Sequence, residues 1–412
     1  MKWLFSLIVL TSHLFPLNVR VVSKSAILVN ADSGVVLFDK HKDKQAFPAS
    51  ITKIATALYA LKHLDNLDAM VTCPSECLVR ICPKVKVDHN FTHPPHWLEY
   101  DGTTYGIRKG EVLPLGSLFL GMMLVSGNDA ANVIAHHACG NIPSFIEGLN
   151  DYLKDIGCQQ TKFKNPHGLH HPDHYTTAHD MALIAQEALK DPRFCDIVST
   201  LTHERPKTAK QDKKTIVNAN RLLKKTQFYY SKAFGMKTGY HSKAGYTLVT
   251  AAKHEGRTLI AVILGSPDPQ QRYRDAINLF DAAFAEKKEK RLLFKKGENT
   301  FRHSIDKYTL HGQLADDVYL EYYPSEEQEL KSVLHWNELS LPIAQGEPVG
   351  EIVISDMRDR HVLSVPLYAT DAVVKGGLSK PILALILVAA ILLILLALHF
   401  YPALCSRMKR LS

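Results

Sequence analysis

A serine attacks a carbonyl only if something beside it accepts its proton, and in Phe47-Pro48-Ala49-Ser50-Ile51-Thr52-Lys53 a lysine follows Ser50 by three residues. On a helix that spacing sets Lys53 over Ser50 on one face. The apolar positions Ile51, Ile54, Ala55, Leu58 and Leu61 keep helical rather than strand spacing, so a helix opening at Ser50 is expected. Ser50 then sits at a helix N-terminus, where free N–H groups and the dipole favour negative charge. Its own N–H is a candidate oxyanion donor. Lys53 works as a base only when neutral, and burial against the apolar face lowers an ammonium's pKa. Ser-x-x-Lys also describes an ordinary helix start with Ser as N-cap, so the pair needs support from elsewhere in the chain.

That support comes from two further stretches. Ser126-Gly127-Asn128 lies 76 residues beyond Ser50, and Lys237-Thr238-Gly239 lies 111 residues beyond Ser126. S-x-x-K, then S-x-N, then K-T-G is the motif set of serine acyl-transfer enzymes that bind β-lactams. The motif set predicts a role for each residue: Ser50 forms the acyl-enzyme and Lys53 takes its proton. Ser126 relays a proton to the leaving amine, while the Asn128 amide holds Lys53 and the substrate backbone. Lys237 and Thr238 offer a cation and a hydroxyl to a carboxylate. Gly239 keeps the strand bare where substrate lies. The N–H of Tyr240 is the second oxyanion donor, opposite that of Ser50.

The elements that position these groups follow from pattern. Ala26–Asn30 and Val35–Phe38 read as strands, and so do Gly245–Lys253 and Thr258–Leu264, which form a hairpin. Leu113–Val125 reads as buried helix ending at the Ser126 turn. Asp129–His137, Pro143–Ile156, Thr177–Leu189 and Gln270–Lys287 have helical spacing. Strands, then helices, then strands and a final helix predict an α+β fold. From about residue 290 short strand-like runs such as Val318–Tyr323 and Val349–Ile354 predict a small all-β domain.

The chain has 412 residues, 46% of them hydrophobic and 22% charged, which suits a globular protein of several domains. A net charge of +8 without a basic stripe interleaved with aromatics argues against nucleic-acid binding. Trp3–Leu10 behind Lys2 reads as the h-region of a secretory signal. Ile382–Leu398 is a run of seventeen uncharged apolar residues, near the lower limit for a spanning helix. Arg407, Lys409 and Arg410 beyond it favour a cytoplasmic tail. The expected organisation is a signal peptide (1–24), a catalytic domain (25–288), a β domain (289–372), a linker (373–381), a transmembrane helix (382–401) and a tail (402–412). Seven cysteines on an exported chain permit disulfides without fixing their pairing. The stretch from Cys73 to Gly106 is irregular and rich in Pro, His and Cys. Its spacings match no zinc pattern, so no metal and no cofactor are expected. His167 reads as structural, and His170, His171 and His174 read as solvated.

On these motifs the chain resembles the low-molecular-mass penicillin-binding proteins that are D-alanyl-D-alanine carboxypeptidases. Asn165-Pro166-His167-Gly168-Leu169 and Tyr240 with Ala244-Gly245 extend the likeness, which covers roughly residues 25–370. The resemblance implies a β-lactamase/transpeptidase-like catalytic domain, a small β domain and a C-terminal membrane anchor. It implies a peptidoglycan stem peptide as substrate, loss of its terminal D-Ala as the reaction, and β-lactams as inhibitors. With the apolar run Ile382–Leu398, the expectation is a bacterial cell-membrane protein, single-pass, with its body on the extracytoplasmic side; a spanning anchor is itself a departure, since many relatives have an amphipathic one. Two further departures stand out. His241 replaces the family's usual Thr two residues after K-T-G, and Asn218-Ala219-Asn220 lacks the Arg that some members carry between the two Asn. A β-lactamase of class A needs a Glu-activated water, and Lys162-Phe163-Lys164-Asn165-Pro166 supplies no such Glu. An endopeptidase or transpeptidase uses the same residues. A non-catalytic scaffold has no need of Lys53 or Lys237.

Overall fold

The computed structural model describes residues 6–8, 17–374 and 385–395. The chain divides into two units: residues 13–289 with 322–328, and residues 1–12, 290–321 and 329–412.

The first unit is built on an antiparallel sheet of five strands. They are β1 (Ser25–Asn30), β2 (Val36–Lys40), β3 (Ala233–His241), β4 (Gly245–His254) and β5 (Arg257–Ser266), in the spatial order β3-β4-β5-β1-β2. Side chains alternate across a strand, and here both faces are covered. Ile27, Val29, Ile260 and Val262 enter one apolar cluster, and Ala26, Leu28, Leu259, Ala261 and Ile263 enter another. That is why the sequence shows unbroken apolar runs instead of alternation.

The first face is covered by α1 (Thr52–His63), α2 (Leu115–Leu124), α3 (Asn128–Cys139), α4 (Ile142–Asp155), α5 (Ala178–Leu189) and α6 (Pro192–Ser199). The opposite face is covered by α7 (Gln271–Phe284), through Tyr273, Ala276, Leu279, Phe280 and Ala283. α1 has an apolar environment nearly all round. From Thr52 to Leu61 only Tyr59 is not buried. Each Leu or Ile buried in this way contributes about 1.5–3 kcal/mol.

The helix over 113–125 begins two residues later than its apolar run. Val112–Pro114 is instead a short strand paired with Met70–Thr72. The sequence reading did not pick out α6, β3 as a full strand, or the ribbon of Thr202–Arg205 with Lys214–Val217.

In the second unit β6 (Phe301–Ile305), β7 (Tyr308–Leu314), β8 (Leu330–Trp336), β9 (Pro348–Asp356) and β10 (His361–Ala369) form an antiparallel sheet, ordered β8-β9-β10-β7-β6. Ser6–Ile8 pairs with the outer side of β8. Leu310, Val349, Ile352 and Leu367 lie in its apolar cluster.

At the C-terminal end residues 385–395 are helical with exposed apolar side chains. Among the described residues no helix is long and apolar enough to cross a membrane. The rest of the expected span, most of the expected signal and linker segments and the whole tail, including Cys405, lie outside the described residues. Cys73, Cys77, Cys82, Cys139, Cys158 and Cys195 are free thiols.

Candidate active site

Ser50 does not open α1 itself. It lies in a single 3₁₀ turn, Ala49–Ile51, that feeds α1, and Ala49 takes a left-handed conformation with φ 52°. Gly168 faces this turn. It has φ 87°, and a Cβ on it would collide with the Ala49 carbonyl, so glycine is required there on both counts. The turn leaves Ser50 partly exposed and Lys53 fully buried.

Lys53 Nζ has three neighbours: Asn128 Oδ1 at 2.7 Å, the His167 carbonyl oxygen at 2.6 Å and Ser50 Oγ at 3.1 Å. Desolvation holds the Lys53 pKa well below its ordinary value, and the positive charge of Lys237 lowers it further against the opposing pull of Asp129. A neutral amine has two N–H bonds and one lone pair. The two acceptor oxygens use the N–H groups, so the lone pair is left for the Ser50 hydroxyl proton.

Asn128 is delivered by the turn between α2 and α3. Ser126, two residues before it, has φ 64°. The turn is set into the loop 103–107. Asn128 N–H donates to the Thr103 carbonyl at 3.0 Å, and Thr103 Oγ1 donates to the Ser126 carbonyl at 2.8 Å. The principal tie is Asp129, whose buried carboxylate accepts from the N–H groups of Tyr105, Gly106 and Ile107 at 2.7, 2.8 and 2.9 Å. Sequence reasoning passed over Asp129. Its position beside Asn128 at a helix start was the available signal, and its partners were not visible without the fold.

β3 is an edge strand, so one side of it carries backbone groups that the sheet does not pair. It runs against the Ser50 turn: a Cβ on Gly239 would lie 2.9 Å from Ser50 N and would collide with Thr247 Oγ1. Lys237 is buried, and its Nζ donates to the Thr238 carbonyl at 2.9 Å. Burial first, and then the guanidinium of Arg272, bring its pKa down to about 7. Thr238 is nearly buried, whereas Tyr240 is 56% exposed and stacks on Tyr246 at 4.3 Å.

Arg272 was also missed. It sits in the first turn of α7, donates Nη1 to the Gly239 carbonyl at 2.9 Å, and keeps its Nε buried without a partner. Nothing local in the sequence ties it to K-T-G. Asn218 and Asn220, by contrast, are structural. Asn218 Nδ2 donates to the Thr200 carbonyl at 3.0 Å, and Asn220 Oδ1 accepts from Leu222 N–H at 3.1 Å.

The stretch 73–107 forms a wall beside this site. It holds the short helix Pro83–Asp88 and the two-residue strands Arg80–Ile81 and Leu98–Glu99. Asn132 of α3 donates to the carbonyls of Cys77 and His96, and buried Lys86 pairs with Glu99 at 2.7 Å. Among the described residues no group of three or more His, Cys, Asp or Glu side chains is disposed to hold a metal.

The histidines of 167–174 correct the expectation of solvation. His171 and His174 are buried and His170 is half-buried. His174 Nε2 lies 2.9 Å from Thr52 Oγ1, and burial lowers the pKa of all three rings. The cause is tertiary: the 165–174 turn is pressed between the Ser50 turn and the 73–107 wall. His167 is fully buried and contributes its carbonyl to Lys53.

Residues 13–268 match the family described as D-alanyl-D-alanine carboxypeptidase. The chain is 29% identical to D-alanyl-D-alanine carboxypeptidase DacF of Bacillus subtilis, covering 86% of this chain and 87% of that protein. It is 28% identical to D-alanyl-D-alanine carboxypeptidase DacA of Haemophilus influenzae, covering 87% of each. Among solved structures, penicillin-binding protein 5 from Haemophilus influenzae superposes with a TM-score of 0.58 at 26% identity, covering 86% of this chain and 98% of that one. The Streptomyces K15 DD-transpeptidase gives 0.55 at 28% identity, covering 65% and 98%. The architecture is the mixed α/β, transpeptidase-like fold of these proteins.

Proposed function

This chain belongs to the D-alanyl-D-alanine carboxypeptidase family, and from that premise we propose that Ser50 is its nucleophile and Lys53 the base that activates it. It is a serine-type D-Ala-D-Ala carboxypeptidase that works through an acyl-enzyme, and peptidoglycan as substrate and β-lactams as ligands fit the family. The observation that carries the assignment of roles is the set of three contacts around Lys53 Nζ.

The stem peptide lies along the free edge of β3, with its terminal carboxylate at Lys237 and Thr238. The Ser50 hydroxyl passes its proton to Lys53 as Oγ bonds to the carbonyl carbon of the penultimate D-Ala. The oxyanion is held by the N–H groups of Ser50 and Tyr240. The C–N bond then breaks, and the proton returns from Lys53 through Ser126 to the nitrogen of the departing D-Ala. Asn128 keeps Lys53 and the peptide backbone in register. Gly239 gives the peptide room, and Arg272 steadies the strand that grips the carboxylate. Water, deprotonated by Lys53, hydrolyses the ester and frees Ser50. Mass spectrometry of the purified protein with a pentapeptide ending in D-Ala-D-Ala is expected to show loss of one D-Ala and an acyl adduct on the Ser50 peptide. An adduct on another residue would overturn the assignment.

We propose further that residues 1–24 direct export to the bacterial envelope, and that residues 289–372 form a small β domain outside the membrane. The apolar run from Ile382 anchors the chain once across it, with 402–412 on the cytoplasmic side. The seventeen-residue apolar run and the exposed apolar face of 385–395 support this reading. A chain ending before Pro381 is expected in the soluble fraction with its kcat/KM kept within about twofold, since the three motifs all lie between Ser50 and Gly239, outside the removed segment. Sedimentation of that chain with membranes after a high-salt wash would place the anchor elsewhere.

A further inference from the structure

The motifs leave a cluster of rings beside Ser50 without a role. Phe47 precedes Ser50 by three residues, His241 follows Gly239 by two, His170 comes from the 165–174 turn, and Phe91 comes from the 73–107 wall. His170 is the hub. Its ring centroid lies 4.7 Å from that of Phe47, edge to face, 5.3 Å from His241 and 5.6 Å from Phe91. All four side chains are half-buried, so the array has a packed side and an open side.

The order of groups on β3 says what passes over it. With the terminal carboxylate at Thr238 and the scissile carbonyl at the N–H of Tyr240, the acyl part of the peptide runs on toward His241. An extended peptide advances about 3.3 Å per residue, so the side chain just upstream of the two D-Ala residues falls at His241 and Phe47.

The chemistry there is one-sided. His241 Nδ1 accepts from Ala244 N–H at 3.1 Å, so the neutral ring carries its proton on Nε2 as a donor. His170 Nδ1 is buried with no partner. Burial holds both rings neutral, His241 down to about 4, and the lysines that bear on them, Lys86 on both and Lys243 on His170, act in the same direction. Lys86 is already paired with Glu99, so Lys243 is the cation left for a ligand. A half-buried surface of rings, with the His241 Nε2–H as donor and a local excess of positive charge, suits a carboxylate on a methylene stem. An ammonium in the same place meets the like charge of Lys243 and the N–H of His241.

Resting on the carboxypeptidase reading, we propose that Phe47, Phe91, His170 and His241 form a subsite for the stem residue immediately before D-Ala-D-Ala. It selects a side chain ending in a carboxylate over one ending in an ammonium. The test uses N-acetyl-X-D-Ala-D-Ala tripeptides with X as L-2-aminoadipate, L-norleucine or L-lysine, and release of D-Ala as the readout. The wild type is expected to favour aminoadipate over lysine about tenfold in kcat/KM, with norleucine between them, as one charge-assisted hydrogen bond gives. His170→Leu and His241→Leu are each expected to bring that ratio to within about twofold of unity. The ratio is taken within each protein, so a general loss of activity does not disturb it, and the wild-type arm stands even if a variant fails to fold. Equal wild-type rates, a preference for lysine, or a ratio that survives both substitutions would overturn the subsite alone. Release from none of the three peptides would overturn the carboxypeptidase reading and the subsite with it.

Discussion

Two walls flank Ser50, and they are built by opposite means. The wall that carries Ser50 and Lys53 is helix packed in apolar surroundings, with side chains buried from Thr52 to Leu61 apart from Tyr59. The wall formed by residues 73–107 has little regular structure and is tied down by polar contacts: Asp129 to three amides, Asn132 to two carbonyls, Lys86 to Glu99. The first sets a protonation state, because burial is what makes a lysine a base. The second sets a shape, because directional hydrogen bonds hold the left-handed Ser126 turn and the mouth of the site. One site thus uses desolvation for reactivity and hydrogen bonding for geometry.

The sharpest break on the helical side is Ser50→Ala. Turnover is expected to fall by a factor on the order of 10⁴ or more, and covalent labelling by a fluorescent penicillin to vanish, with the melting temperature kept. Label that persists would move the chemistry away from this wall.

On the polar side, Asp129→Ala strands three buried N–H groups while leaving Lys53 in its apolar surroundings. Stability is expected to drop by about 2–4 kcal/mol in urea titrations, with acylation slowed about 10- to 100-fold. Its loss also removes the group that raises the Lys53 pKa, so the acid limb of kcat/KM should move to lower pH. A variant as stable and as fast as the wild type would show that the polar wall does not hold the Ser126 turn.

The smallest effect belongs to Lys237, where the two means meet: it is buried, yet the task proposed for it is to hold a carboxylate. With a pKa of about 7 it loses its proton as the pH rises through neutrality, so kcat/KM for a free D-Ala-D-Ala terminus should fall above that point. The C-terminally amidated peptide should show no such limb. Lys237→Ala should cost about tenfold for the free acid and less for the amide. Equal losses for both would assign Lys237 to proton transfer and not to recognition.

The helical wall was legible in the sequence and the polar wall was not, for the same physical reason. Ile51, Ile54, Leu58 and Leu61 announce a helix by spacing alone, and the apolar run through Leu124 announces the next, so the Ser50 and Ser126 motifs fall at recognisable element ends. β3 was read only in part, since Lys237-Thr238-Gly239 lacks the β-branched alternation of a buried strand and lies on a sheet edge. Asp129 and Arg272 act through partners more than twenty residues away, on backbone groups that leave no trace in residue type. The histidines after His167 looked polar and solvated because burial of a loop depends on what closes over it, and that is the 73–107 wall.

The enclosure of Lys53 has a consequence for the movement of hydrogen during turnover. Its amine is wholly inside the protein, and two of its three neighbours are a carbonyl and an amide oxygen, neither of which can accept a proton for keeping. With Lys53 as the proposed base, a proton it lifts from Ser50 has no route to bulk water through this side chain and leaves by the face through which it came. On the roles proposed above, acylation is a closed loop within the site: the hydrogen that began on the serine ends on the nitrogen of the departing D-alanine, and the free amine draws its further proton from the solution only after it has left.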